Sequence, residues 1–308
     1  MGITSRHTVR SMAHFSSSNP RMYDIGIAQD SDRNLRRQAA KDRFYKIGNR
    51  WHFWGASAAI VLALASPLVL VYEPDWGPLL GAIAGVWIFM SRLLFEPLKQ
   101  GYQVKGASAQ EMFDCDVLGL TWNDALIRQP SEEEIRSASK RFKDPKSTKK
   151  HCDWYPTDID IAWPRSVITC QRSNAVWARR QHHAYGCFLL VSAFAWAIFG
   201  VIIALLQQTT LARYLTTIAL PSLPAILDAI DLSKKHLLAS SRRQHLEDET
   251  NALFDKNDCS HEALREIQDQ IFNLRRDAPP VAGWFYWMLS KTYEADMRYA
   301  AKERAVPD

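Results

Sequence analysis

A chain of 308 residues with a formal net charge of +5 and 47% hydrophobic residues has the bulk composition of one or two soluble domains. Its apolar residues, however, are gathered into a few blocks, and several of the 11 tryptophans stand at block edges, where an amphipathic ring favours a membrane interface. Five scattered cysteines with no CxxC pair exclude a complete disulfide framework and read as free thiols in a reducing compartment.

Residues 1–23 are rich in Ser, Arg and His, carry no apolar core and read as a disordered tail rather than a signal peptide. Residues 24–50 read as a cytoplasmic helix, with Leu35, Ala39, Phe44 and Ile47 at loose helical spacing. Residues 51–95 form the first transmembrane hairpin. Trp51 to Tyr72 is 22 residues without a formal charge, enough for a core of ~30 Å at about 1.5 Å per residue. Pro67 is tolerated in such a helix. The second block, Gly77 to Phe95, carries only Arg92, and the four-residue linker Glu73-Pro74-Asp75-Trp76 makes the pair antiparallel.

Residues 96–183 are a cytoplasmic middle segment too long for a simple loop. It holds a helix around Ala107 to Leu118 and another from Ser131, where Ser131 and Glu134 make a capping box. The basic run Lys140 to Lys150 fits anionic lipid headgroups, electrostatic gathering of an anionic ligand, or a solvated loop. From Trp154 to Arg180 the chain leads helically into the third span. His151, Cys152, Cys170 and His182 or His183 match no zinc spacing, so no metal is expected.

Residues 184–232 are the second hairpin: Ala184 to Leu206 without charge, then Leu211 to Leu232 with Arg213, Asp228, Asp231, Pro221 and Pro224. Residues 233–308 are cytoplasmic helices: one over Ser233 to Phe254, one from Ser260 with Leu264, Ile267, Ile271 and Leu274 on one face, and one over Trp284 to Ala301. The fold expected is therefore an all-α membrane protein, four transmembrane helices in two hairpins. A mainly helical cytoplasmic domain is built from the N-terminal, middle and C-terminal segments.

Charge placement orients it. Residues 1–50 carry ten Lys/Arg, 96–183 fourteen and 233–308 twelve, 36 of 38, whereas the two linkers carry none. The positive-inside rule puts the long segments and both termini in the cytoplasm, so the net charge requires no DNA or RNA partner. Arg92, Arg213, Asp228 and Asp231 are the charges in or near the membrane. They either snorkel to the interface or, for Asp228 and Arg213, line a pore in an oligomer with Pro221 and Pro224 as a hinge. No Walker loop, GxSxG or HExxH is present and no carboxylate pair stands out as catalytic, so no catalysis is expected.

The runs EMFDCDVLGLTWN (Glu111 to Asn123) with SEEEI (Ser131 to Ile135), DWYP (Asp153 to Pro156) with CQRSNAVW (Cys170 to Trp177), and IQDQIFNLRRDAPPVAGWFYWMLSKTYEADMRYAA (Ile267 to Ala301) resemble the SMODS-associated four-transmembrane effectors. The resemblance covers about residues 24–302, with the spans in the same order; Gly283 departs from it, standing where an acidic residue is expected. It implies bacterial antiphage defence. A cyclic nucleotide synthase detects infection, and the effector binds the cyclic oligonucleotide and permeabilises the bacterial inner membrane, arresting or killing the cell. No other cofactor is implied. Four helices enclose little water, so a pore implies a homo-oligomer or helix rearrangement.

Phosphates and flat bases call for Arg and aromatic planes. Trp154, Tyr155, Arg172 and Asn174 in the middle segment, and Arg275, Arg276, Trp284 and Tyr286 in the last, are the candidates for the ligand. Two other readings of the chain are a constitutive small channel or transporter, and a membrane-anchored sensor or scaffold without a pore.

Overall fold

The computed structural model describes residues 19–140, 151–157, 160–256, 259–285 and 288. Among them there is no strand. Four long helices dominate: α2 (Asp32–Tyr72), α3 (Gly77–Leu118), α5 (Arg165–Leu206) and α6 (Leu211–Lys256), each with a window apolar enough to cross a membrane. Short helices α1 (Met22–Gln29), α4 (Glu132–Ala138) and α7 (His261–Arg276) complete the set.

Between 6% and 33% of the residues in those four windows are buried. The exposed remainder includes Phe53, Trp54, Leu64, Leu79, Val86, Phe89, Val191, Phe194, Ile198 and Leu223. An apolar surface on that scale is stable only against lipid or another chain. This is a membrane protein with four spanning helices.

The helices do not stop at the membrane boundary. From the sequence, new helices are expected at about Ala107 and Ser233; in the structure α3 and α6 continue out of the second and fourth spans. Three of the prolines in these rods are absorbed locally. Pro67 cannot donate to the carbonyl of Ala63, and Ser66 Oγ donates to that oxygen instead at 2.8 Å. Upstream of Pro97 and Pro221 the helix widens into single π-turns, Ser91–Phe95 and Leu215–Ala219, which relieve the ring's clash with the preceding turn.

α5 packs along α6, and α2 along α3; α6 also touches both helices of the first hairpin. The two hairpins meet through small residues. A Cβ on Gly77 would lie 2.5 Å from Thr217 Oγ1, so only glycine permits that approach. Ser66 and Ser222 hydroxyls bond across the interface at 3.0 Å, and Trp196 Nε1 donates to Ser222 at 3.3 Å.

Beyond the membrane the ends of the four long helices form a bundle closed by α1, α4 and α7. Its main core gathers Met22, Ile25, Phe113, Leu118, Tyr155, Val167, Ile168, Cys170 and Leu264. The capping box at α4 forms as the sequence predicts: Ser131 Oγ accepts from the Glu134 amide at 3.2 Å, and Glu134 returns a bond to the Ser131 amide at 3.3 Å. Ser260 caps α7 with a single bond, its Oγ accepting from the Ala263 amide at 3.2 Å. The terminal helix expected over Trp284 to Ala301 lies mostly outside the described residues, as does the basic run after Lys140.

Candidate functional site

The bundle core carries a buried polar network that ties four parts of the chain together. Glu111 and Asp114 are three residues apart on α3, hence on one face. Arg265, Gln268 and Arg275 share a face of α7. Asp114 is fully buried and pairs with Arg275. The Tyr155 hydroxyl donates to it at 2.7 Å and Gln268 Nε2 at 3.0 Å. Asn174 Nδ2 donates to the Tyr155 oxygen at 2.9 Å. Glu111 accepts from Arg265 at 2.5 Å and from Gln268 at 2.9 Å. Gln171 of α5 donates to Gln268 at 3.3 Å and to the Leu264 carbonyl at 2.8 Å.

Two carboxylates thus face two guanidiniums away from water. Burial, reinforced by the Asp114 charge, pushes Glu111 above the usual carboxylate range, with Arg265 and Gln268 opposing it. Burial and the same aspartate push the Tyr155 hydroxyl well up. Burial favours a neutral Arg275, but Asp114 together with Tyr155, Glu111 and Tyr45 outweighs it and raises the guanidinium's affinity for its proton.

A second polar cluster sits where the spans end. Arg92, inside the first π-turn, reaches Asp228 at 3.2 Å and Asp231 at 3.8 Å, and Lys235 joins Asp231 at 3.4 Å. These side chains stay one-third to one-half exposed. Arg92 therefore links the first hairpin to the second. Arg213 is at the other end of the fourth span, 15 positions from Asp228 and thus about 22 Å along the helix; those two are not brought together.

Just outside the spans, the buried imidazoles of His182 on α5 and His236 on α6 hydrogen-bond through Nδ1 atoms 2.7 Å apart. Burial lowers both, His236 to about 3.

Of the residues chosen from sequence for a ligand, the structure unites Tyr155, Asn174 and Arg275 around Asp114. Arg172 stands apart, bonded to Asn251 at 2.7 Å and Glu247 at 3.0 Å. Trp154 lies under Lys41, whose Nζ is 3.8 Å from the ring centroid. Arg276 chelates its neighbour Asp277 at 2.8 and 3.0 Å. Trp284 is 57% exposed and packs edge-on to Phe188. Tyr286 lies outside the described residues.

Glu111, Asp114, Arg265, Gln268 and Gln171 escaped the sequence reading, although polar residues at helical spacing on otherwise apolar faces mark them. The zinc set is dispersed: His151 faces Asp42 at 3.2 Å, Cys170 faces Met22, and His182 is held by His236. Among the described residues no three His, Cys, Asp or Glu are placed to hold a metal.

Known proteins frame this geometry. A "probable CBASS effector molecule" of Bacillus cereus (strain VD146) is 25% identical over 271 residues, covering 84% of this chain and 91% of that one. No solved structure matches the chain. The family model for the SMODS-associating 4TM effector domain matches residues 23–304, a span that takes in all four membrane helices, the buried network and the Arg92 cluster, and the chain belongs to that family.

Proposed function

We propose that this chain is the membrane effector of a cyclic-oligonucleotide-based antiphage signalling system (CBASS) and that it permeabilises the bacterial inner membrane when its cytoplasmic bundle binds the messenger. The family match across all four spans carries the reading, and the relative's description agrees with it. The charge count supports cytoplasmic termini, since 36 of 38 Lys/Arg lie outside the spans and their linkers on three segments that alternate with the hairpins. The functional partner is a cyclic nucleotide synthase.

The fold supplies a route from ligand to membrane. Each spanning helix is also a bundle helix, so a shift in bundle packing moves the membrane end of the same rod. In the proposed ligand set, Arg275 is the most buried cation, and a phosphodiester would compete with Asp114 for it. Tyr155, which meets the same carboxylate, and Asn174, which meets the Tyr155 oxygen, are the aromatic and polar groups beside it. Trp154, Arg172, Arg276 and Trp284 remain candidates from the sequence that stand apart from it, and Tyr286 is one that lies outside the described residues. Several copies are needed to enclose water, and the messenger must bind the open assembly more tightly than the closed one.

Dye efflux from liposomes holding the purified protein, with and without a panel of cyclic oligonucleotides, tests the proposal. Efflux evoked by one of them is the expected result. Efflux that ignores every nucleotide indicates a constitutive channel, and nucleotide binding without efflux indicates a sensor; either outcome rejects the reading.

A further inference from the structure

A groove of about 420 Å³ between α5 and α6 is lined by Arg179, His183, Leu237, Ser240, Ser241 and Gln244. Its height is fixed by sequence. Arg179 lies five residues before the third apolar stretch, and the α6 wall runs from Leu237 to Gln244, five to twelve residues after the fourth, so the groove opens about 7.5 Å beyond the hydrocarbon and extends outward to about 18 Å. The headgroup layer on each side of a bilayer is about 5–8 Å thick. The membrane-side end of the groove is therefore level with lipid phosphates.

Its chemistry suits an anion. Glu247 accepts from Arg172 at 3.0 Å and also faces Arg179 Nε at 3.0 Å, so one carboxylate serves two guanidiniums. No acceptor meets Arg179 Nη1 or Nη2 among the described residues. Ser240 donates to the Arg179 carbonyl at 3.1 Å, which fixes the arginine's backbone against α6. Ser241 and His183 are exposed at the groove and add donors. The nearby carboxylate of Asp248 is occupied by the Gln244 amide at 2.9 Å. Leu237 supplies an apolar floor on the membrane side, where a glycerol backbone would lie.

We infer that this groove holds the phosphate of an anionic phospholipid, with the Arg179 fork and the Ser241 hydroxyl on its oxygens. The headgroup would then brace the α5–α6 pair at the height where it leaves the membrane. The inference uses the membrane placement alone and stands whether or not a cyclic oligonucleotide activates the protein.

The test is retention of phosphatidylglycerol by the full-length protein, counted by native mass spectrometry after extraction from phosphatidylcholine vesicles with and without that lipid. Arg179→Gln should lower retention about tenfold, the loss of one charge-assisted bond. Arg172 still holds Glu247 in that variant. Ser241→Glu, on an exposed position, should lower retention likewise by repelling the phosphate. Unchanged retention in either variant overturns the inference. So does displacement of the lipid by an equal concentration of a soluble cyclic dinucleotide, which would assign the groove to a dissolved phosphodiester.

Discussion

At the scale of single residues, the arrangement is governed by what it costs to hide a charge. Asp114 is wholly enclosed and Arg275 nearly so. Removing one partner strands the other, a change worth about 3–5 kcal/mol. Asp114→Ala should therefore lower the melting temperature of the detergent-solubilised protein severely. The double replacement Asp114→Leu with Arg275→Met should recover much of the loss, because it removes both charges. A melt of Asp114→Ala within a degree or two of wild type would show the pair to be superfluous.

The histidine pair makes a pH statement. His236 is lowered to about 3 by burial and rises to about 6.5 on unfolding. The unfolded chain then binds more protons between those values, so this contribution weakens folding as pH falls from about 6.5 towards 3. Glu111 works in the opposite sense, since a raised carboxylate favours the folded state on acidification. Comparing His236→Asn with wild type isolates the histidine: denaturation profiles from pH 7 to 4 should be flatter in the variant, and parallel profiles would exclude this linkage.

At the scale of elements, the π-turn at Ser91–Phe95 decides which way Arg92 faces and hence that it meets Asp228 and Asp231 on α6. Three charges at partial exposure near a membrane surface add little stability. Under the proposed function, Asp228→Ala should alter the conductance evoked in planar bilayers with little change in melting temperature. Unchanged currents would remove this cluster from the conducting path.

Here too lies the reason that part of the structure was legible in the sequence and part was not. Periodicity, caps and hydropathy placed the spans, the Ser131 cap and the apolar face of α7, because each is written in near neighbours. The continuity of α3 past Pro97 was not legible, since proline normally ends a helix and the π-turn that rescues it leaves no sequence mark. The meeting of Asp114 with Arg275 joins positions 161 apart, and only the packing of α7 across α3 reveals it. Tyr155 and Asn174 in the middle segment and Arg275 in the last are by sequence groups that could face one another, and it takes the fold to show that one carboxylate connects them.

At the scale of the whole molecule, four helices of 41, 42, 42 and 46 residues cross from lipid to bundle without a joint. Such lengths are about 60–70 Å, of which a bilayer's hydrocarbon occupies ~30 Å. The two halves are consequently locked in rotational phase. One residue inserted between them would turn everything beyond it by about 100°, swinging leucines that face lipid onto a neighbouring helix and stranding Arg92 away from its aspartates. Tolerance of length change is therefore confined to the connections outside the rods, such as residues 119–131. The crossing region is geared, in that one count along each rod sets both which residue meets lipid and which meets the bundle.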